Sequence, residues 1–368
     1  MELTAFARNY GEFYAPAFAV RSSGTDLMRD QLIAISQIEA DLVLGAASRF
    51  SFTVADCYSV KLHAFRTGRN ADLLSLLSFG TELDIALGYG DAKSTPIVMR
   101  GLITEVGTNF SESGSPELTI SGYDYGFPMT MGKSSRTWKD TRDSAAASEI
   151  ASFHNLSSKI ETTKEEHPQI EQNQESDWEF LKKLADRNHY ELFVDDKGKL
   201  NFAKPNDRDT AVVRLLYGQG LLSFKPEANL AGQVSRVEVY GWNQKTKKPI
   251  VGKAGAGEES GLSGKSPGQY LNSFGSDPKK QPTLRLRQPV FTQAEADERA
   301  KAALNERAKQ FLTGEAEAIG LPDLRPDRNV ELADLGDKFS KTYYIQQVTH
   351  KIDANGFRSR LKLKETGW

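Results

Sequence analysis

The chain has 368 residues, with 47 Lys and Arg against 49 Asp and Glu, and a formal net charge of -2. That balance excludes a global field for nucleic acid or an anionic membrane surface. One cysteine, Cys57, excludes an intramolecular disulfide, and with five scattered histidines it excludes a cysteine-rich zinc site.

At this length two or three domains are expected. No run approaches the ~18 apolar residues of a membrane helix. The N-terminus MELTAFARNYGEFYAP lacks the basic-then-apolar pattern of a signal peptide, so a soluble protein made in the cytoplasm is expected.

In chain order, Ala17–Val20, Leu32–Leu44 and Arg49–Val60 alternate as strands, with Phe50, Phe52 and Val54 on one face. Cys57 lies in the last run, where a buried small hydrophobe is expected. Asp72–Leu77 reads as a helical turn under a sheet. Glu82–Leu87, Ile97–Phe110 and Glu117–Tyr123 are further strands, separated by Gly88–Asp91 and Ser111–Ser115 turns. Short strands at this spacing predict an antiparallel sandwich or barrel over residues 1–132.

Residues 133–205 have a different texture, that of a small α/β insert. Asp143 or Ser144 is placed to cap a helix running to Phe153. A polar, mobile loop with Glu165-Glu166-His167-Pro168 is expected next. Ser176 and Glu179 then form a capping box. The helix it opens carries an apolar stripe of Trp178, Leu181, Leu184 and Ala185, with Phe180 beside it. Tyr190, Leu192 and Val194 alternate, Asp195-Asp196-Lys197-Gly198 turns the chain, and Leu200 and Phe202 alternate back.

Residues 206–368 return to strands at Ala211–Tyr217, Leu221–Lys225 and Gln233–Trp242. The run 243–283 is rich in Gly, Ser, Lys and Pro and predicts a long surface loop or disorder. Leu284–Phe291 is a strand. Thr292 and Glu295 open a helix over 293–311, stopped by Gly314. Leu321–Leu332, Lys338–Ile352 and Arg358–Lys364 complete the second β set.

The two β sets match. Ile103, Val106 and Phe110 align with Ile345, Val348 and Ile352 without a gap, and Gly90-Asp91 and Gly336-Asp337 precede the two strands. The predicted class is therefore mainly β with an α+β insert: two tandem β-barrel-like domains joined by a small helix-hairpin domain.

The usual constellations of chemistry are missing from the sequence. No glycine-rich phosphate loop stands between a strand and a helix, and no paired histidines have zinc spacing. Glu165, Glu166 and His167 sit in a run read as solvated loop, and turn chemistry accounts for Asp195 and Asp196. Ser59, His63 and Asp84 lack a nucleophile elbow. His350 reads as a packed strand residue, and Trp138 and Trp178 as core anchors. No catalytic, cofactor or metal residue is assigned, and the chain is expected not to be an enzyme.

These features together resemble the phage late control protein D family, the baseplate hub of contractile tails, related to the N-terminal hub part of VgrG spike proteins. The resemblance rests on Phe13-Tyr14-Ala15-Pro16, Gly101–Val106, Leu118–Asp124, Ser176–Leu181 through Leu200–Phe202, the Ala-rich helix after Thr292, and Tyr344–Ile352. It implies a structural homotrimer in which two barrels per subunit make a pseudo-sixfold ring joining a tail tube protein to a spike. The chain ends at Trp368, so a separate spike protein is expected, together with other baseplate proteins. Trp178, Phe180, Leu181, Tyr190, Leu200, Phe202, Ile103, Val106, Ile345 and Val348 are the structural motif positions. Incorporation into a phage tail or injection-system particle follows, with no nucleic-acid partner and no membrane segment.

Two other readings are open. A cell-wall hydrolase or glycan-binding tail-tip protein would draw on Glu165, Glu166, Trp178 and Tyr190. A distal tail hub of a non-contractile phage would share the fold.

Overall fold

The computed structural model describes residues 2–110, 112, 114–208, 210–243, 247–260, 264–275, 281–290 and 292–368. Its first unit holds β1 (Pro16–Ser22), β2 (Ala34–Val43), β3 (Arg49–Ala55), β4 (Glu82–Tyr89), β5 (Ile97–Asn109) and β6 (Glu117–Asp124). They hydrogen-bond in the order β1-β4-β5-β6-β3-β2, all antiparallel. The period-2 pattern sends Phe50, Phe52, Val54, Leu118 and Ile120 inward, each about fully buried, with Cys57 beside them.

The insert follows. β7 (Ser134–Arg142) pairs with β8 (Glu166–Glu175), and α1 (Asp143–Phe153) and α2 (Asp177–Asn188) pack beneath. β9 (Glu191–Val194) and β10 (Leu200–Ala203) form the expected hairpin. Ser176 and Glu179 exchange the two capping-box bonds at the start of α2.

Two expectations are corrected here. The run around Glu166 and His167 is not a loop but a strand, because it pairs antiparallel with β7 and buries His167, Ile170 and Gln172. Neither Asp143 nor Ser144 caps α1; Arg142 occupies the cap position without a side-chain bond, while the Asp143 carboxylate is buried against α2.

The second unit opens with β11 (Val213–Tyr217) and β12 (Gly220–Ala228). A subdomain of β13 (Arg236–Asn243), β14 (Lys248–Gly255), β15 (Thr283–Arg287) and α3 (Gln293–Ala308) is then inserted. β16 (Leu312–Ile319), β17 (Asn329–Ala333), β18 (Lys341–Asp353) and β19 (Gly356–Glu365) complete the unit. The order β11-β17-β18-β19-β16-β12 closes on itself through Leu216–Gly220 and Tyr217–Leu221, giving a six-strand barrel.

The expected loop 243–283 is corrected in its described part. Lys248–Gly255 makes an eight-rung ladder with β13, and Ser266 caps a short helix at Pro267–Ser273. Small residues explain why this strand escapes a side-chain count. Gly252 lies under α3, where an added Cβ would stand 2.1 Å from the Ala296 backbone. Residues 244–246, 261–263 and 276–280 of that run, and Phe291 at the end of the expected strand, lie outside the described residues. The long helix ends at Ala308 instead of 311, and Gly314 sits within β16 against the Phe224 ring.

Five strands of the first unit recur in the second in the same chain order, spatial order and direction: β2, β3, β4, β5, β6 correspond to β12, β16, β17, β18, β19. Even the irregularities recur. The β5–β6 ladder slips between Ile103 and Glu105, and β18–β19 between Ile345 and Gln347. The β2–β3 ladder slips between Ile35 and Gln37, and β12–β16 between Leu221 and Ser223. A bulge re-aims every residue beyond it, so matched bulges keep the two surfaces in register.

Candidate assembly interface

The two units are joined edge to edge. β2 does not pair with β1; its outer edge runs antiparallel to β18, from Val43–Gln347 to Ile38–Ile352. The Asp41 carboxylate clamps this ladder, accepting bonds from Gln347 Nε2 at 2.7 and 2.9 Å and from Thr349 Oγ1 at 2.8 Å. Arg325 is a three-way strut. It donates to the Ile97 carbonyl of the first unit (3.2 Å) and the Pro322 carbonyl of the second (3.0 Å), and pairs with Asp196 of the insert at 2.5 Å. The insert is also tied to the first unit at Gly45, whose N–H donates to the Leu192 carbonyl while its own carbonyl accepts from Trp178 Nε1 at 3.1 Å. Neither Asp41, Gln347 nor Arg325 stands out in the sequence, because each is defined by a partner far along the chain.

The structural motif positions fall into three cores. Trp178, Phe180, Leu181, Tyr190, Leu200 and Phe202 share the insert core, where Trp138 stacks on Phe180 at 5.2 Å and Tyr190 meets Phe202 edge-on. Ile103 belongs to the first core, with Val106 half-buried against it, whereas Ile345 and Val348 are fully buried in the second. Trp178 and Tyr190, offered above for a glycan platform, are buried and so present no flat aromatic surface.

The polar candidates do not converge. Asp195 accepts from the N–H groups of Lys197 and Lys199 at 2.9 Å, as turn chemistry requires. Ser59 caps a local turn at Leu62, and Asp84 faces Arg100 at 3.5 Å across β4 and β5. His350 is wholly buried, with Nε2 donating to the Leu324 carbonyl and Nδ1 on the Ser359 hydroxyl; burial lowers its pKa from 6.5 to about 4.

A dense ionic cluster in the insert is structural in geometry. Buried Asp143 accepts from Arg187 Nε (2.7 Å) and Asn188 Nδ2 (2.6 Å), with His167 Nε2 at 3.7 Å, which locks α1, α2 and β8 together. Burial first, then the Arg187 charge, lowers the His167 pKa, so the ring is neutral there near neutral pH. Among the described residues no group of three or more His, Cys, Asp or Glu side chains is placed to hold a metal ion. No described helix is long and apolar enough to cross a membrane.

No curated protein matches the chain. Its fold is similar to that of the tail protein from Neisseria meningitidis MC58, at 16% identity over 96% of this chain and 97% of that one, TM-score 0.67. It is similar also to the 43 kDa tail protein of prophage MuSo2 from Shewanella oneidensis, at 13% identity over 95% and 98%, TM-score 0.69. The E. coli c3393 protein, a component of the type VI secretion system, matches at 10% identity over 94% of this chain and 76% of that one, TM-score 0.56. At such identities the likeness is one of fold. In sequence, the model of the Alg8 N-terminal domain matches residues 20–354, nearly the whole chain, and this protein therefore belongs to the Alg8 N-terminal domain family.

Proposed function

We propose that this chain is a structural baseplate hub of a phage tail or contractile injection system, of the kind the late control protein D resemblance implies. In this reading it forms a homotrimer, joins a six-fold tail tube protein to a separate trimeric spike protein, contacts other baseplate proteins and is built into the particle after synthesis in the cytoplasm. The observation that carries it is the repeat: five strands recur with both bulges in the same places. Three copies of a two-unit chain supply six similar positions around one axis, which a six-fold tube can meet while a three-fold spike meets the other face. The shared fold with two tail proteins and a secretion-system component supports the same setting.

Light scattering on the purified full chain is expected to give three times the 40.7 kDa chain mass. A species that stays monomeric, alone and mixed with spike and tube proteins from the same particle, refutes the hub reading.

A further inference from the structure

The junction between the units has an empty counterpart on the same molecule. β18 is covered by β2 over Gln347–Ile352, but its equivalent, β5, meets β4 only as far as Leu102, and among the described residues no strand lies along Glu105–Asn109 on that side. Likewise β2 is paired on both sides, whereas its equivalent β12 meets β16 on one side and β11 only at Gly220 and Leu221 on the other. Burial follows the pairing. Val348 is 0% exposed and Ile352 6%, while Val106 is half-buried and Phe110 is 61% exposed. Leu222 and Tyr217 are also exposed beside the free β12 edge. Both halves of a junction the chain makes once internally are present a second time, without a strand partner among the described residues, and the Phe110 ring, held edge-on by Tyr58 at 5.3 Å, keeps its outer face open.

We propose that these two edges mate between copies: β5 of one chain pairs antiparallel with β12 of the next, repeating the β2–β18 junction. This rests on the trimeric hub reading and adds the surfaces and register to it. Aligning the bulges converts the known register into a specific one. Val348–Leu42 becomes Val106–Ala228, Thr349–Asp41 becomes Gly107–Glu227, Lys351–Glu39 becomes Asn109–Lys225, and Ile352–Ile38 becomes Phe110–Phe224. Directly opposed residues then carry no like charges. Phe110 would cover Phe224, which already packs on the second core, as Ile352 covers the first core.

Pro226 fits the same scheme. The Leu44 N–H donates to the Gln346 carbonyl, so by strand alternation the Ala40 N–H also points at β18; Pro226 stands where Ala40 stands. Its missing donor therefore faces the free edge and spares the β12–β16 ladder, a placement that discourages indiscriminate pairing while leaving the other rungs. The contact is head-to-tail, and such contacts close into a ring only at the right rotation.

The test is a double variant, Asn109→Cys with Lys225→Cys, in the full chain. Both positions are exposed, and the native Cys57 is buried. Mild thiol oxidation is expected to shift the denatured, unreduced protein from one chain mass to three, reversed by reductant, with neither single variant doing so. Amide exchange on the unmodified protein should show slowed exchange at Glu105–Asn109 when it is assembled. A trimer in solution that neither cross-links nor protects these amides overturns the edge assignment and leaves the hub reading standing. A monomer under all conditions overturns both.

Discussion

Replacing His350 with Gln is expected to change how the fold responds to acid. The imidazole is 0% exposed, in the strand that joins the two units, and its neutral form satisfies every neighbour. Nε2–H donates to the Leu324 carbonyl at 3.0 Å, and Nδ1 accepts from the Ser359 hydroxyl at 2.8 Å, whose oxygen in turn accepts from the Leu321 N–H. A second proton would set a donor against that hydroxyl and leave its hydrogen to find a new acceptor inside the core. Burial, with the Arg325 charge nearby, lowers the pKa from 6.5 to about 4. Because the folded value lies below the unfolded one, the unfolded chain takes up the proton first. Stability is thus full above the unfolded pKa, falls as pH drops through the interval to about 4, and is flat below it.

The interval is worth about 3 kcal/mol. Urea unfolding of both proteins at a series of pH values from about 7 to about 4 reads it as the difference between two curves. The unmodified protein should lose about 3 kcal/mol more than the variant over that range. His189, also lowered to about 4 by burial, loses stability in both proteins. Asp124, raised to about 7 by burial, gains stability with acid in both, so each cancels in the difference. Parallel curves for the two proteins would refute the assignment of a buried neutral imidazole.

Two further outcomes are expected. Gly122→Ala places a Cβ 2.0 Å from the Leu102 carbonyl and 2.5 Å from the Phe50 ring, so the β5–β6 and β3–β6 ladders must spread; a loss of about 3 kcal/mol or of soluble protein is expected in unfolding and expression assays, and unchanged stability would refute the close approach. Asp143→Ala removes the acceptor of Arg187 and Asn188 from a wholly buried site, and about 3 kcal/mol of destabilisation is expected, seen as early exposure of Trp138 and Trp178 fluorescence. A variant with native unfolding behaviour would show the cluster to be dispensable.

Local chemistry is what the amino-acid order determines here. The Ser176–Glu179 capping box, the stripe of Trp178, Leu181 and Leu184, and the Asp195–Gly198 turn are decided within a few residues, and the structure holds all three. The alternation of Phe50, Phe52 and Val54 and the ungapped match of Ile103 with Ile345 carry the repeated sheet for the same reason. Where partners are distant, the order of residues is silent. His167 reads as solvated until β7 lies beside it, and Asp143 reads as a cap until Arg187 arrives from α2. β14 hides because Gly252 contributes close backbone approach to α3 instead of side-chain area. Only tertiary structure decides that β2 gives its second edge to β18, and that β5 and β12 are left with open edges, since every residue but proline carries the same backbone donor and acceptor and which edge meets which is fixed by packing between distant parts of the chain.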